Sequence, residues 1–149
     1  NMKLDMLSMP ERPKSFGKEY QFPDKSEDLA SQELGNWLLK LSGWKSFTLR
    51  LLAKADMERI ILDESYDVLV AKKYAELTKA GEKVTKDIVI GTLVGDNEAF
   101  KGLKIRLIEK KAEVESLKKV IDIYSTQFDS ISREISRRNS ENQTIGKTL

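Results

Sequence analysis

The sequence contains no cysteine and no histidine, and these two absences exclude several classes of site. Without cysteine the chain has no disulfide, no thiolate metal ligand and no cysteine nucleophile. Without histidine it lacks the commonest general base and the commonest metal ligand, so a histidine-dependent catalytic triad is impossible. We therefore expect no metal ion, no other cofactor and no enzymatic activity.

Proline and aromatic residues are also scarce. The three prolines are Pro10, Pro13 and Pro23, so the rest of the chain is free of this helix breaker. Aromatic residues make up 7% of the 149 residues and charged residues 34%, against the ~25% charged residues of an ordinary globular chain. This composition predicts one domain built as a thin assembly of long amphipathic helices, because it offers too little apolar surface for a many-layered core.

The net charge of +2 is too small to identify a nucleic-acid-binding protein by itself. No apolar run approaches the ~20 residues that span a bilayer, and no secretion signal is recognisable at the N-terminus. From the sequence we expect a cytoplasmic protein without membrane contact.

Three segments are predicted along the chain. Residues 1–25 form an extended arm that carries all the prolines. Residues 26–140 form a helical hairpin domain, and residues 141–149 form a polar tail; the tail from Asn139 onward is expected to fray. Docking of the arm on a neighbouring subunit and simple disorder both remain open. The apolar residues available for such docking are Leu4, Met6, Leu7, Met9, Phe16, Tyr20 and Phe22.

Capping residues and glycines predict where the first helices begin and end. A short helix is expected to start at Ser26 and to stop near Ser42-Gly43. A second helix then runs from Trp44 to Lys79 and ends at Ala80-Gly81. In the connector that follows, residues 82–95, Thr85 is the expected cap of one or two helical turns.

The third helix, starting near Asp96, shows the clearest pattern. Apolar residues recur at alternating spacings of three and four with Lys110 as the polar exception, which is typical of a coiled coil. Further apolar residues beside this seam broaden the face and predict a bundle or an oligomer. The seam consists of Phe100, Leu103, Leu107, Lys110, Val114, Leu117, Ile121, Tyr124, Phe128, Ile131 and Ile135.

The expected fold is therefore all-α: a long antiparallel helical hairpin with a short N-terminal helix, assembled as an oligomer. Pairing Lys79 with Asn97 would bring the acidic stretch 56–67 opposite the basic stretch 101–119. Two interpretations of the basic stretch remain open, namely ion pairing with the acidic stretch and contact with nucleic-acid phosphates.

Basic residues at the two ends of the hairpin are the predicted nucleic-acid contacts, because the sequence shows few carboxylates near them. For the C-terminal arginines, a favourable interaction with the helix dipole is an alternative explanation. No catalytic residue is predicted, since neighbouring carboxylates such as Asp63 and Glu64 do not face each other on a helix. The predicted contacts are Lys72, Lys73, Lys79, Lys83, Lys86, Arg133, Arg137 and Arg138.

The arrangement of these segments resembles the UvsY-like recombination mediators of phages. The matching pieces are Phe22-x-Asp24, the segment from Leu41 to Trp44, Leu93-x-x-Asp96 and Ile131-Ser-Arg133. The chain is also similar to a group of small tailed-phage proteins whose last helix ends in Ser-Arg-Glu-Ile-Ser-Arg-Arg, here residues 132–138.

This resemblance implies a non-enzymatic homo-oligomer of helical hairpins that binds single-stranded DNA. It implies loading of a RecA-type recombinase where single-strand-binding protein is already bound, with the family's basic residues falling on Lys72 and Lys73. The sequence departs from the family in being acidic over residues 56–67. The alternative is an oligomeric coiled-coil protein, such as a virion component, a scaffold or an inhibitor of a host protein, that binds no nucleic acid.

Overall fold

The computed structural model describes residues 22–148, and over that range the protein is all-helical. Within this range a 3-10 turn, Ser26–Asp28, precedes three α-helices, which are α1 (Ser31–Lys79), α2 (Lys86–Asp96) and α3 (Glu98–Thr148). Helices account for 90% of the described residues, and residues 22–148 include no β-strand. The predicted all-α fold with long helices packed against each other is confirmed, whereas the predicted docking of residues 1–21 lies outside the described residues.

The helices build two compact units. The terminal unit consists of residues 22–50 and 117–148 of the described chain, and the central unit is Leu51–Ser116. Both α1 and α3 contribute residues to each unit, whereas α2 belongs to the central unit alone.

The first α-helix does not break at Ser42-Gly43, so this prediction was wrong. Residues 31–79 form one continuous helix, in which Leu41 and Trp44 are buried on either side of Gly43. A glycine inside a helix costs ~1 kcal/mol relative to alanine, whereas burying a large apolar side chain stabilises by ~1.5–3 kcal/mol. Packing of the two flanking side chains thus outweighs the local preference of the glycine.

The helix that was expected to start at Ser26 starts at Ser31 instead. Residues 26–28 form only a 3-10 turn, and Leu29 leaves it in an extended conformation before α1 begins at Ser31. In this segment Phe22 packs edge-on against Trp37, with ring centroids 5.5 Å apart. The described end of the predicted arm is therefore fixed on the chain's own first helix.

The core of the terminal unit lies between the N-terminal part of α1 and the C-terminal part of α3. Leu34, Leu41, Trp44, Tyr124 and Ile131 form its buried cluster. The Trp44 and Tyr124 rings lie 6.2 Å apart, and Arg138 of α3 contacts Ser31 at the start of α1. The two helices consequently run antiparallel within this unit.

The core of the central unit has α2 as its third component. Val70 of α1, Val89 and Leu93 of α2, and Phe100 of α3 are its buried residues. The Phe100 ring stacks on Tyr66 at a centroid distance of 5.1 Å. The predicted connector is therefore mostly helix, and it covers the C-terminal part of α1.

This covering helix shifts the predicted pairing of α1 with α3. Pairing Lys79 with Asn97 would put Lys110 beside Tyr66, but Phe100 occupies that place and Lys110 binds Glu58 instead. The difference is eight residues along α1, or about two helical turns. The register was mispredicted because α2 packs where the start of α3 was expected.

The third helix begins and ends differently from the prediction as well. Asn97 caps its start by accepting a hydrogen bond from the Phe100 N–H at 3.1 Å, and the helix continues past Asn139 to Thr148 instead of fraying. All eleven predicted seam residues are buried or half-buried on α3. Four residues beside the seam, Ile105, Ile108, Val120 and Ile123, were expected to widen this face. Val120 packs against the terminal core, whereas Ile105, Ile108 and Ile123 are about half exposed.

Candidate functional site

All five lysines that were predicted to contact DNA lie in the central unit, around the turn that joins α1 to α2. Lys72, Lys73 and Lys79 are on α1, Lys83 lies in the turn and Lys86 is the first residue of α2. We call these five residues the tip lysines. The structure thus collects them from two helices and one short turn.

Capping interactions on both sides fix the shape of this turn. Gly81 has a φ of 79°, and its N–H donates to Thr78 O while the Glu82 N–H donates to Leu77 O, which is the Schellman arrangement at a helix end. On the other side the Thr85 hydroxyl accepts a hydrogen bond from the Ile88 N–H at 3.4 Å and caps α2 as predicted. A turn held at both ends presents the lysines in a defined arrangement.

Four of the tip lysines are exposed and have no carboxylate within ion-pair distance among the described residues. These are Lys72, Lys79, Lys83 and Lys86. Lys72 and Lys79 are seven residues apart on α1, so they lie on the same face of the helix. Their ammonium groups are free to meet an anion from solution.

Two of the tip lysines have acidic neighbours. Lys73 Nζ lies 3.4 Å from Glu76 Oε2. Lys86 has no ion pair among the described residues, but it lines an open groove whose other charged residues are Asp63, Asp67, Lys104 and Lys111. Since these carboxylates compete with a phosphate for the ammonium groups, Lys73 and Lys86 are weaker candidates for DNA contact.

An exposed aromatic side chain lies in the same part of α1. Tyr74 follows Lys72 and Lys73 on α1, and 47% of its surface is exposed. Residues two and five positions apart do not share a face of a helix, so the ring lies on a different side of α1 from Lys72 and Lys79. Exposed rings and lysines are the groups that bind single-stranded nucleic acids by base stacking and phosphate pairing. By contrast, Tyr124 is 5% exposed in the terminal core, so its ring is not accessible for stacking on bases.

The three arginines that were predicted to contact DNA belong to the terminal unit. Two of them, Arg137 and Arg138, already donate hydrogen bonds to other groups of the chain. Arg138 donates to Glu134, to the Ser31 hydroxyl and to the backbone carbonyls of Glu27 and Leu29. Arg138 therefore ties the segment before α1 to α3. This guanidinium has a structural role, which the predicted DNA contact did not anticipate.

Arg137 is occupied as well. Its guanidinium donates to both oxygens of Glu134, at 3.0 Å and 2.7 Å, and to Glu141. Glu134 is 5% exposed, and hydrogen bonds from Arg137 and then Arg138 lower the pKa of its carboxyl to about 2. Of the three predicted arginines only Arg133 is exposed without an ion-pair partner in the described part of the chain.

The ion pairs of Glu134 with Arg137 and Arg138 could have been predicted from the sequence. Glu134 lies three and four residues before the two arginines, and pairs at these spacings meet on a helix. The contacts to Glu27, Leu29 and Ser31 bridge more than a hundred residues, so spacing alone could not reveal them.

The basic stretch 101–119 is partly neutralised by the acidic stretch 56–67. Lys110 Nζ lies 2.7 Å from Glu58 and 2.8 Å from Glu113, and Lys111 Nζ lies 3.9 Å from Asp63. The hydrogen bonds that Lys110 donates to Glu113 and Glu58 raise the pKa of its ammonium group. These partners explain how a lysine occupies the apolar seam, and they favour ion pairing for the middle of the basic stretch.

Other open grooves of the central unit offer no recognisable chemistry. A groove of about 480 Å³ lies between α1 and α3 and is lined by Glu58, Ile61, Leu62, Arg106, Glu109, Lys110 and Glu113. Among residues 22–148 no group of three acidic side chains is placed to hold a metal ion. Nor does any described helix have the length and apolar character needed to cross a membrane.

Comparison of the chain with protein-family models, curated proteins and solved structures found no match.

Proposed function

We propose that this protein is a non-enzymatic, self-associating helical hairpin that binds single-stranded DNA and acts as a phage or prophage recombination mediator. The observation that carries the proposal is the set of exposed lysines at the α1–α2 turn, where Lys72, Lys79 and Lys83 have no carboxylate partner in the described chain. Tyr74, on a different side of the same part of α1, supplies an exposed ring.

The chemistry of this surface fits a single strand better than a duplex. Lysine is a flexible point charge that pairs with phosphates without reading bases. An exposed tyrosine stacks on unpaired bases of any sequence. The expected binding is therefore independent of sequence and decreases as salt concentration rises.

The mediator role adds a protein partner to DNA binding. In this proposal the oligomer holds single-stranded DNA that is coated with single-strand-binding protein and loads a RecA-type recombinase onto it. Several DNA-binding turns on one assembly would raise the effective concentration of each site for the same strand. Moderate binding by each subunit would then suffice to hold the strand.

A titration of a labelled single-stranded oligonucleotide, read by fluorescence anisotropy at two salt concentrations, tests the DNA-binding step. Light scattering on the same samples gives the mass of the binding species. We expect micromolar or tighter binding by an oligomer, weakening steeply with salt. A protein that leaves the oligonucleotide unbound at low salt would contradict the proposal.

The mediator step needs its own assay. The DNA-dependent ATPase activity of a RecA-type recombinase is measured on DNA pre-coated with single-strand-binding protein. We expect the wild-type protein to shorten the lag before ATP hydrolysis, and a variant that does not bind DNA to leave the lag unchanged. DNA binding without any effect on the lag would remove the mediator role and retain the DNA-binding one.

A second function is favoured by a different observation. Large apolar side chains are exposed on α1, including Met57 at 62%, Ile61 at 59% and Val68 at 57%. Such a surface is typical of a helical protein whose function is protein association. This coiled-coil interaction protein, for example a scaffold or a host-protein inhibitor, predicts a defined oligomer with no affinity for DNA at low salt.

A further inference from the structure

The outer side of α1 in the central unit carries a regular apolar line. Met57, Ile61, Glu64 and Val68 follow one another at spacings of four, three and four residues, and all four are exposed. They lie on the side of the helix opposite the buried Ala55 and Val70. We call these four residues the α1 stripe.

The outer side of α3 in the same unit repeats this pattern. Lys101, Ile105, Ile108 and Ala112 also follow at spacings of four, three and four, and all four are exposed. They lie opposite the buried Leu103, Leu107 and Val114 of the α3 seam. We call Lys101, Ile105, Ile108 and Ala112 the α3 stripe.

The spacing of both stripes is that of a coiled-coil contact line. Alternation of three and four residues is what allows a helix to pack along a partner helix with its side chains interlocked. Within the central unit the α3 seam already provides the line along which α3 packs on its neighbouring helices. The two outer lines are therefore a second set of helix-packing surfaces on the same helices.

The charges of the two stripes are opposite. Each stripe combines three apolar residues with one charged residue, which is Glu64 on α1 and Lys101 on α3. Neither of these two side chains has an ion-pair partner among the described residues. The surrounding stretches have the same signs, since the α1 stripe overlaps the acidic residues 56–67 and the α3 stripe lies in the basic residues 101–119.

We infer that the occupant of each stripe is a second copy of this chain, and that the α1 stripe of one copy packs on the α3 stripe of the next. This contact covers exposed isoleucines on both sides and brings an unpaired carboxylate close to an unpaired ammonium group. A contact between two α1 stripes would instead bring two acidic stretches together, and a contact between two α3 stripes would bring two basic stretches together. Opposite charges therefore select the unlike pairing.

An unlike pairing has a consequence for assembly. Because each copy uses one stripe and leaves the other exposed, copies add head to tail until a ring closes or a filament extends. This inference rests on the self-association that is part of the proposed function, and it does not require DNA binding. Its test is accordingly carried out without DNA, so the two proposals fail separately.

Mixing two blocked variants tests the pairing. The first variant, Ile61→Glu/Val68→Glu, has its α1 stripe blocked, and the second, Ile105→Lys/Ile108→Lys, has its α3 stripe blocked. All four positions are exposed, so we expect both proteins to keep their helix content by circular dichroism. As a matched control, Leu39→Glu/Leu49→Glu adds the same charges at exposed positions of α1 outside the stripe.

Masses from light scattering at ~100 µM protein give the result. Wild type and the Leu39/Leu49 control are expected to be oligomers, and each blocked variant alone a monomer. An equimolar mixture of the two blocked variants is expected to form a dimer and nothing larger, because only one pair of intact stripes remains. A monomeric wild type, blocked variants that keep the wild-type mass, or a mixture that stays monomeric would each overturn the inference.

Charge reversal provides a second, milder test. Glu64→Lys alone and Lys101→Glu alone place like charges across the contact, and we expect each to weaken self-association by about threefold to tenfold. The double variant Glu64→Lys/Lys101→Glu restores opposite signs and is expected to return to within about twofold of wild type. Additive weakening in the double variant would contradict the proposed pairing.

Discussion

The ammonium group of Lys110 lies 2.7 Å from the carboxylate of Glu58, which joins the seam of α3 to α1 in the central unit. Lys110 is the polar exception in an otherwise apolar seam, and the same ammonium group binds Glu113 at 2.8 Å. This ion pair defines the alignment of the two helices, because the register expected from the sequence would place Lys110 beside Tyr66 and Asp67.

A double-mutant cycle on Glu58→Ala and Lys110→Ala tests this alignment. We expect a coupling free energy of about 0.5–1 kcal/mol, typical of a partly exposed ion pair, measured by urea unfolding. The control cycle pairs Asp67→Ala with Lys110→Ala and is expected to show no coupling. Coupling to Asp67 but not to Glu58 would support the register predicted from the sequence instead.

The turn that carries the tip lysines depends on Gly81. Its φ of 79° is a conformation that an L-amino acid with a side chain adopts at a cost of ~1–2 kcal/mol. Gly81→Ala is therefore expected to lower the free energy of unfolding by about that amount. Gly95→Ala is the matched control: it lies within α2 with open space where the methyl group of alanine would lie, and we expect it to stabilise by ~0.5–1 kcal/mol. Equal effects of the two substitutions in urea unfolding would contradict this account.

Acid should weaken the terminal unit through Glu134. Its carboxyl has a pKa of about 2 in the folded protein against an ordinary value of 4.5, chiefly because Arg137 and Arg138 donate hydrogen bonds to it. A lowered pKa means that this carboxylate contributes full stability above pH 4.5 and loses its contribution as the pH falls towards 2. The stability advantage of wild type over Glu134→Gln should therefore shrink between those pH values. Thermal unfolding at a series of pH values measures it, and an advantage independent of pH would refute the prediction.

Arg138 allows the structural role to be separated from DNA binding. Arg138→Ala removes one partner of the nearly buried Glu134 and the donors to two backbone carbonyls, so we expect it to destabilise by about 1–3 kcal/mol. Its affinity for single-stranded DNA, measured at a temperature where it stays folded, should equal that of wild type. Arg133→Ala, an exposed arginine in the same helix, is the control and should leave stability unchanged. Loss of DNA binding in folded Arg138→Ala would restore the role predicted from the sequence.

The sequence predicted those features of the fold that depend on local pattern. The seam from Phe100 to Ile135, the end of α1 at Gly81 and the Thr85 cap follow from spacing, glycine conformation and hydroxyl chemistry, and each is present. The break at Gly43 was wrong because the decisive contact, that of Trp44 with Tyr124, involves residues eighty positions apart. Such long-range packing is not visible in local propensity.

The candidate site could be predicted only where it depends on local signals. Exposed lysines near Gly81 follow from the position of the turn, which local signals define. The occupation of Arg138 by Ser31, Glu27 and Leu29 depends on tertiary structure, and so does the pairing of Lys110 with Glu58. A count of basic residues along the chain could not distinguish ammonium groups that face solvent from those that already hold a carboxylate.

The most direct test of the central claim compares DNA binding by two triple-alanine variants. Lys72→Ala/Lys79→Ala/Lys83→Ala removes the three tip lysines that neither form an ion pair nor line the acidic groove in the described chain, and Lys25→Ala/Lys54→Ala/Lys119→Ala removes three exposed lysines elsewhere. Anisotropy titrations with a single-stranded oligonucleotide are run across a series of salt concentrations. For the tip variant the account predicts at least about tenfold weaker binding and a salt slope smaller by about 2, with the control close to wild type. Equal losses in both variants, or wild-type binding by the tip variant, would contradict it.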